Sequence, residues 1–179
     1  RVVVTKELPG ERWLQILIDA NCRVEVSRSR AILPAEELEA AIGGRCAAVV
    51  GQLTEDWGAH LLRVLKLAGG LVYSNYAVGY NNVDVAESTR LGLPAGNTPG
   101  VLTEATAELA VALTFAAARR IAEGDAFTRR GDFAHCGWLP ALMIGNSLWR
   151  KTLGIVGAGR IGAAYARMMV EGHKMDLVY

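Results

Sequence analysis

The sequence predicts an α/β fold in which parallel sheets are wound with helices, organised as two lobes. Three observations predict it. Short β-branched runs alternate with helical stretches and are separated by Gly or Pro, the pattern of strands joined by helical crossovers. With 51% hydrophobic residues, a chain of 179 residues can bury packed cores. A second strand–glycine–helix–strand alternation begins near residue 151, after a long apolar helix.

The elements follow in order. Val2 to Thr5 reads as a strand, and Glu11 to Ala20 as a helix with Trp13, Leu14, Leu17 and Ile18 on one face. Arg23 to Ser27 is a second strand. Pro34 fits a first helical position, and Gly43-Gly44 ends the helix that carries Leu38, Ala41 and Ile42. Ala47 to Val50 is a third strand. Asp56 is placed to cap a helix running to about Leu67, with Trp57, Leu61, Val64 and Leu65 inward, and Leu71 to Tyr76 is a fourth strand. Asn81 to Asp84 opens a short helix that ends at Leu91-Gly92, and Leu93 to Asn97 reads as a brief edge strand. Thr98-Pro99-Gly100 is a turn. Thr103 is placed to cap one long helix from Glu104 to Glu123, and Glu104 suits its positive end. That helix is apolar all round, so it should be buried on most sides. Phe127 to Arg150 lacks a period and reads as extended. Lys151 to Val156, Arg160 to Gly172 and Lys174 to Tyr179 then read as strand, helix and strand.

Composition narrows the partners. Lys and Arg (19) nearly balance Asp and Glu (18), so no global field draws in nucleic acid or an anionic membrane. Cys22, Cys46 and Cys136 are odd in number and widely spaced without a Cys-x-x-Cys pair, which argues against a disulfide framework or a zinc site. No apolar run reaches the roughly 20 residues that span a bilayer. The reading is a soluble protein of a reducing compartment whose partner is a small molecule or another protein.

One motif carries chemistry. Thr152-Leu153-Gly154-Ile155-Val156 leads into Gly157-Ala158-Gly159-Arg160-Ile161-Gly162, a glycine fingerprint between a strand and a helix. Gly157 permits the tight turn, Gly159 lets backbone approach a pyrophosphate, and Gly162 allows close helix packing. The helix N-terminus offers free N–H groups and positive dipole to phosphate, with Arg160 and Ile161 at that end. The expected cofactor is NAD or NADP. The acidic residue that reads the ribose lies about 20 positions on, at the end of the next strand. Asp176 sits too early in its strand, which leaves the deciding position beyond Tyr179.

Asn75-Tyr76-Ala77-Val78-Gly79-Tyr80-Asn81-Asn82-Val83-Asp84, Asn97-Thr98-Pro99-Gly100 and Thr106-Ala107-Glu108-Leu109-Ala110, taken with the glycine turn, resemble the D-isomer-specific 2-hydroxyacid dehydrogenase family. Within it, Val72 to Thr106, Gly137-Trp138-Leu139-Pro140 and Gly157 to Met169 are most similar to the hydroxypyruvate reductases of plants and algae. The resemblance implies a flavodoxin-like substrate lobe over 1–102 and the start of a Rossmann dinucleotide-binding domain over 103–179, with the active site in the cleft between them. It implies that backbone N–H groups at Val78 and Gly79 receive a substrate carboxylate, and that Thr106 lies beside the nicotinamide. It implies a catalytic Arg and a His–Glu pair later than this chain, so no catalytic residue is assigned here.

His60, beside Arg63 and Lys66, reads as a solvated face residue, His135 and His173 as loop or helix-end residues, and Glu104 with Glu108 as helix charges. Trp138, in the irregular arm, is a candidate for a contact between two copies in a homodimer. The implied activity is reduction of hydroxypyruvate to D-glycerate, and of glyoxylate to glycolate, by NAD(P)H, with NADH slightly favoured, in a peroxisome, with another organelle or the cytosol as alternatives. A phosphoglycerate, lactate or formate dehydrogenase, or a non-catalytic NAD-sensing regulator on the same fold, stands as the alternative.

Overall fold

A computed structural model describes residues 1–179. The chain divides into two compact units, Arg1–Val101 and Leu102–Tyr179. The first contains β1 (Val2–Val4), α1 (Arg12–Asp19), β2 (Val24–Val26), α2 (Ala35–Ile42), β3 (Ala48–Gln52), α3 (Ala59–Leu67), β4 (Val72–Tyr76), α4 (Val85–Arg90) and β5 (Ala95–Gly96). All its strand pairs are parallel, in the order β2-β1-β3-β4-β5. That is the flavodoxin-like order, whose direction of winding reverses between β1 and β3.

The largest core cluster of this unit lies on one side of the sheet, while β1, with Val2, Val3 and Val4 all buried, is covered on both faces. Alternation along β3 and β4 buries Val49, Tyr73 and Asn75, and Leu38 and Ile42 of α2 with Leu61, Leu62 and Leu65 of α3 cover them. Each such apolar side chain, fully removed from water, contributes about 1.5–3 kcal/mol. The Asp84 carboxylate caps α4 by accepting from the Glu87 N–H at 2.9 Å. Glu87 itself is buried and joins α4 to α3, accepting from Arg63 Nε at 2.5 Å and Arg90 Nε at 2.7 Å.

Two local expectations shift here. Pro34 is the N-cap of α2, with ψ of 163°, and Ala35 is the first helical residue. Asp56 does not cap α3, which starts at Ala59 after Gly58. Trp57 causes the delay: its N–H donates to Asn82 O at 2.7 Å, it bridges to Val83, and its ring stacks on Tyr73 with centroids 4.1 Å apart. Residue 57 is therefore fixed as a connector before the helix begins.

The second unit contains α5 (Thr103–Ala118), α6 (Ile121–Arg129), α7 (Asp132–Cys136), β6 (Thr152–Gly154), α8 (Arg160–His173) and β7 (Asp176–Val178). Strands β6 and β7 pair in parallel, so β6-α8-β7 is the first crossover of a dinucleotide-binding sheet. Its core gathers Leu153, Met169 and Met175 against Val111, Phe115, Leu148, Ile155 and Tyr165.

Four expectations fail in this unit. The single helix over 104–123 is two helices, because Arg120 takes a left-handed conformation (φ 55°). The Ala118 carbonyl, which a continuous helix would bond to residue 122, instead accepts the Asn146 N–H at 2.7 Å. Thr103 is the first residue of α5 rather than its cap, which is Leu102. Nor is α5 buried on most sides: only Ala107 is fully buried, and Leu109 and Leu113 are 59% and 60% exposed. Its apolar surround exceeds what α8 alone can cover. The stretch from Phe127 to Arg150 is extended only in part, since α6 runs to Arg129 and α7 follows; residues 137–150 are irregular. No helix is long and apolar enough to cross a membrane.

Candidate functional site

The glycine turn joins β6 to α8. Gly157 has φ of +94°, a conformation that a Cβ disfavours, and it turns the chain out of the strand. Gly159 is the N-cap of α8 in extended conformation, exposed, with no atom of the chain within 4 Å of where a Cβ would stand. At Gly162 a Cβ would overlap the Gly157 carbonyl oxygen and stand 3.6 Å from Ile155 Cγ2. The third glycine thus lets the helix seat on the turn itself as well as on the strand end.

Arg160 and Ile161, both exposed, occupy the first turn of α8, where N–H groups lack intrahelical partners and the helix dipole is positive. An open, Cβ-free approach to a 14-residue helix N-terminus fits a dinucleotide pyrophosphate. Asp176 is the first residue of β7, at the opposite end of that strand from where a ribose-binding carboxylate belongs.

Thr106 lies in the second turn of α5, half-buried, with its N–H bonded to Leu102 O at 3.0 Å. Its hydroxyl makes no hydrogen bond in the chain, unlike that of Thr114, which bonds Ala110 O and Tyr165 Oη, each at 2.8 Å.

Val78 and Gly79 follow β4, at the carboxyl end of the first sheet, where ligands of such folds bind. Three successive carbonyls of this loop are held from within the unit. Ala77 O accepts the Thr98 N–H at 2.8 Å, Val78 O accepts Asn97 Nδ2 at 2.7 Å, and Gly79 O accepts Asn75 Nδ2 at 2.9 Å. The N–H groups of Val78, Gly79 and Tyr80 donate to nothing in the chain. Gly79 has no positive φ, and a Cβ there would meet only Leu53 Cδ1 at 3.7 Å, an ordinary contact. Neither backbone strain nor packing accounts for a glycine at 79, whereas both 157 and 162 require one.

A buried polar network lies beneath the loop. Tyr73 Oη donates to Asn75 Oδ1 at 2.9 Å, and Asn75 Nδ2 also reaches Asn82 Oδ1 at 3.1 Å. Asn82 Nδ2 donates to Gln52 O and Glu55 O at 3.1 and 2.9 Å. Glu55, fully buried, accepts from Gln52 N at 3.0 Å and Trp57 Nε1 at 3.3 Å. Burial, and next the Glu55 carboxylate, push the Tyr73 phenol far above its usual range, so it remains a neutral donor.

His60 pairs with Glu39 at 2.8 Å on an exposed face, while His173 packs on Phe115 at the end of α8. His135 is in the last turn of α7. Glu104 and Glu108 are both exposed on α5. Asn75, Asn82 and Asn97 lay inside recognisable stretches without a role; the polar residues bracketing Val78-Gly79 on both sides were the available signal.

Comparison with known proteins agrees with this geometry. Residues 2–136 match the family described as D-isomer specific 2-hydroxyacid dehydrogenase, catalytic domain, and residues 111–179 match its NAD binding domain. "Glycerate dehydrogenase HPR, peroxisomal" of Arabidopsis thaliana is 57% identical over all of this chain and 46% of its own length. A glyoxylate reductase of Korarchaeum cryptofilum is 41% identical over all of this chain and 52% of its own. The crystal structure of the TT0316 protein from Thermus thermophilus superposes with a TM-score of 0.92 at 38% identity, over 100% of this chain and 55% of that one. The chain thus spans about half the length of the curated relatives it matches. With two matched family domains and parallel α/β units of the corresponding kind, the chain belongs to the D-isomer specific 2-hydroxyacid dehydrogenase family.

Proposed function

We propose that the protein carrying this chain is a hydroxypyruvate and glyoxylate reductase, forming D-glycerate and glycolate. The observation that carries the reading is the loop at Val78–Tyr80, with three carbonyls pinned behind it and three N–H groups left without partners. Preorganised backbone donors suit a small carboxylate, because they face it at no reorganisation cost when it binds. The names of the Arabidopsis and Korarchaeum relatives support hydroxypyruvate and glyoxylate as the acids. Residues 1–102 form the substrate lobe in this reading and residues 103–179 begin the dinucleotide domain.

In the second unit, Gly157, Gly159 and Gly162 admit the pyrophosphate of NAD or NADP to the N–H groups at Arg160 and Ile161, and the unpartnered Thr106 hydroxyl is available to the nicotinamide. When bound, the reduced cofactor supplies a hydride to the carbonyl carbon, and a proton completes the alcohol. Val78 and Gly79 hold and orient the carboxylate, which places the 2-oxo carbon for attack.

A steady-state assay of the whole protein tests this with hydroxypyruvate, glyoxylate, pyruvate and 3-phosphohydroxypyruvate, each with NADH and with NADPH. Fastest turnover of hydroxypyruvate, with glyoxylate second, is expected. No cofactor oxidation with any acid would overturn the enzyme reading and favour an NAD-sensing role.

The assembly reading is a homodimer in which the irregular arm contributes contacts. Trp138 is 77% exposed, and Phe133, Leu139, Ile144 and Trp149 of the same arm are also exposed, a concentration of apolar surface unusual in a monomer. Trp138→Ala should weaken the dimer in light scattering; an unchanged dimer would sink the idea. The word "peroxisomal" in the Arabidopsis relative's name supports a peroxisomal location, which imaging of the tagged protein checks.

A further inference from the structure

We propose that Asn97 and Asn75 are positioning residues, which aim the amides of the Val78–Tyr80 loop by gripping its carbonyls from behind. The inference deepens the proposed reading of that loop as the carboxylate cradle and rests on it. The geometry begins with the peptide bond. All peptides here are trans, and in a trans peptide the C=O of one residue and the N–H of the next point in opposite directions. A carbonyl held on one side therefore fixes the direction of the following N–H. Thr98 N–H on Ala77 O aims the Val78 amide, Asn97 Nδ2 on Val78 O aims the Gly79 amide, and Asn75 Nδ2 on Gly79 O aims the Tyr80 amide.

The orientation of both carboxamides follows from their partners. Val78 O can only accept, so the Asn97 nitrogen must face it. Asn75 meets an acceptor at Gly79 O, while the Tyr73 hydroxyl, held neutral, donates to its oxygen. Its second N–H goes to Asn82 Oδ1, whose own nitrogen is fixed by the Gln52 and Glu55 carbonyls. Asn75 is thus fully satisfied and only 1% exposed, whereas Asn97 is an exposed side chain on the connector after β5.

Without Asn97 the peptide between Val78 and Gly79 loses the one bond that sets its plane, although its neighbours on either side remain tied. The loop would stay folded with one donor free to rotate. A structural glycine turn offers no reason for such a clamp, because the side chain of Asn97 contributes nothing to the core.

The experiment uses the whole protein and three variants. Asn97→Ala should raise KM for hydroxypyruvate about tenfold, the size of one well-placed hydrogen bond, with a smaller change in kcat and none in KM for NADH or in Tm. Asn97→Asp fills the same space but cannot donate, so it should be impaired at least as much; activity like the wild type in Asn97→Asp would overturn the proposal. Asn75→Ala should have a similar kinetic effect with loss of stability, and Asn97 keeps the idea testable if that variant does not fold.

A second readout does not depend on turnover. The ¹H–¹⁵N resonance of Gly79 should shift in Asn97→Ala while those of residues 157–162 stay in place. If the wild type reduces no 2-oxo acid but the Gly79 resonance moves, the activity reading fails and the clamp stands. If the enzyme is active and neither KM nor the Gly79 resonance changes in Asn97→Ala, the clamp fails and the activity stands.

Discussion

The turn at residues 157–162 and the loop at residues 77–80 both present unpaired backbone N–H groups, and they do so by opposite means. The turn needs almost nothing outside itself: Gly157 takes a conformation other residues avoid, and Gly162 brings the helix onto the Gly157 carbonyl. The loop has no positive φ at its glycine and depends on side chains up to 19 residues away in sequence, as far as the connector after β5. A site made from local stereochemistry is written in a short motif. A site made from tertiary hydrogen bonds is spread over the chain, and changes can loosen it without unfolding anything.

The largest effect should come from the turn. Gly162→Val places carbon atoms where the Gly157 carbonyl oxygen stands, and backbone cannot yield as a side-chain tip would. We expect destabilisation of roughly 3 kcal/mol, the upper part of the range for overpacking, together with loss of NADH binding. Denaturant unfolding and calorimetric titration check it; unchanged stability would break the claim that the turn is sterically self-determined.

The next effect belongs to the loop's support. Asn75→Ala strands the buried Tyr73 hydroxyl and leaves Asn82 Oδ1 and the Gly79 carbonyl short of a donor. A loss of about 2–3 kcal/mol is expected in denaturant unfolding, since an unsatisfied buried polar group costs about 1–3 kcal/mol. Gly79→Ala sharpens the contrast from the other side. Its Cβ would meet only an ordinary contact, so stability should stay within about 0.5 kcal/mol. Yet KM for the 2-oxo acid should rise several-fold, because the methyl group occupies ligand space. Equal KM in Gly79→Ala and wild type would place the substrate elsewhere.

This contrast also explains what could be read from sequence. The parallel α/β class and the turn built on Gly157 and Gly162 were legible, because periodicity and local stereochemistry encode them, while the flavodoxin-like first unit was implied by the family resemblance. The break at Arg120 was not: nothing in Ala118-Arg119-Arg120-Ile121 marks it, and the bond that displaces the helix comes from Asn146. The delayed start of α3 was hidden for the same reason, since Trp57 is held by Asn82 and Tyr73. Val78 and Gly79 were singled out by resemblance, but the hydrogen bonds from Asn97 and Asn75 to their carbonyls depend on pairings that only the folded sheet creates.

Acid should separate the two regions by a smaller margin. The glycine turn holds no carboxylate, whereas α4, which follows the loop directly, is tied to α3 through Glu87. Hydrogen bonds from Arg90 and then Arg63 hold the Glu87 carboxyl at about 2, against an ordinary 4.5. The folded state therefore favours the ionised form, and the unfolded chain binds the proton more readily. The stabilisation from this carboxylate is complete above about 4.5 and is lost as pH falls from there through about 2. Glu87→Gln keeps the shape and removes the charge, so its stability deficit against wild type in urea should be constant near neutral pH and shrink between these limits. A deficit that held constant down to about pH 2 would mean that the ionisation of Glu87 contributes nothing to it, and no deficit at any pH would mean that Glu87 links α4 to α3 by packing and shape alone.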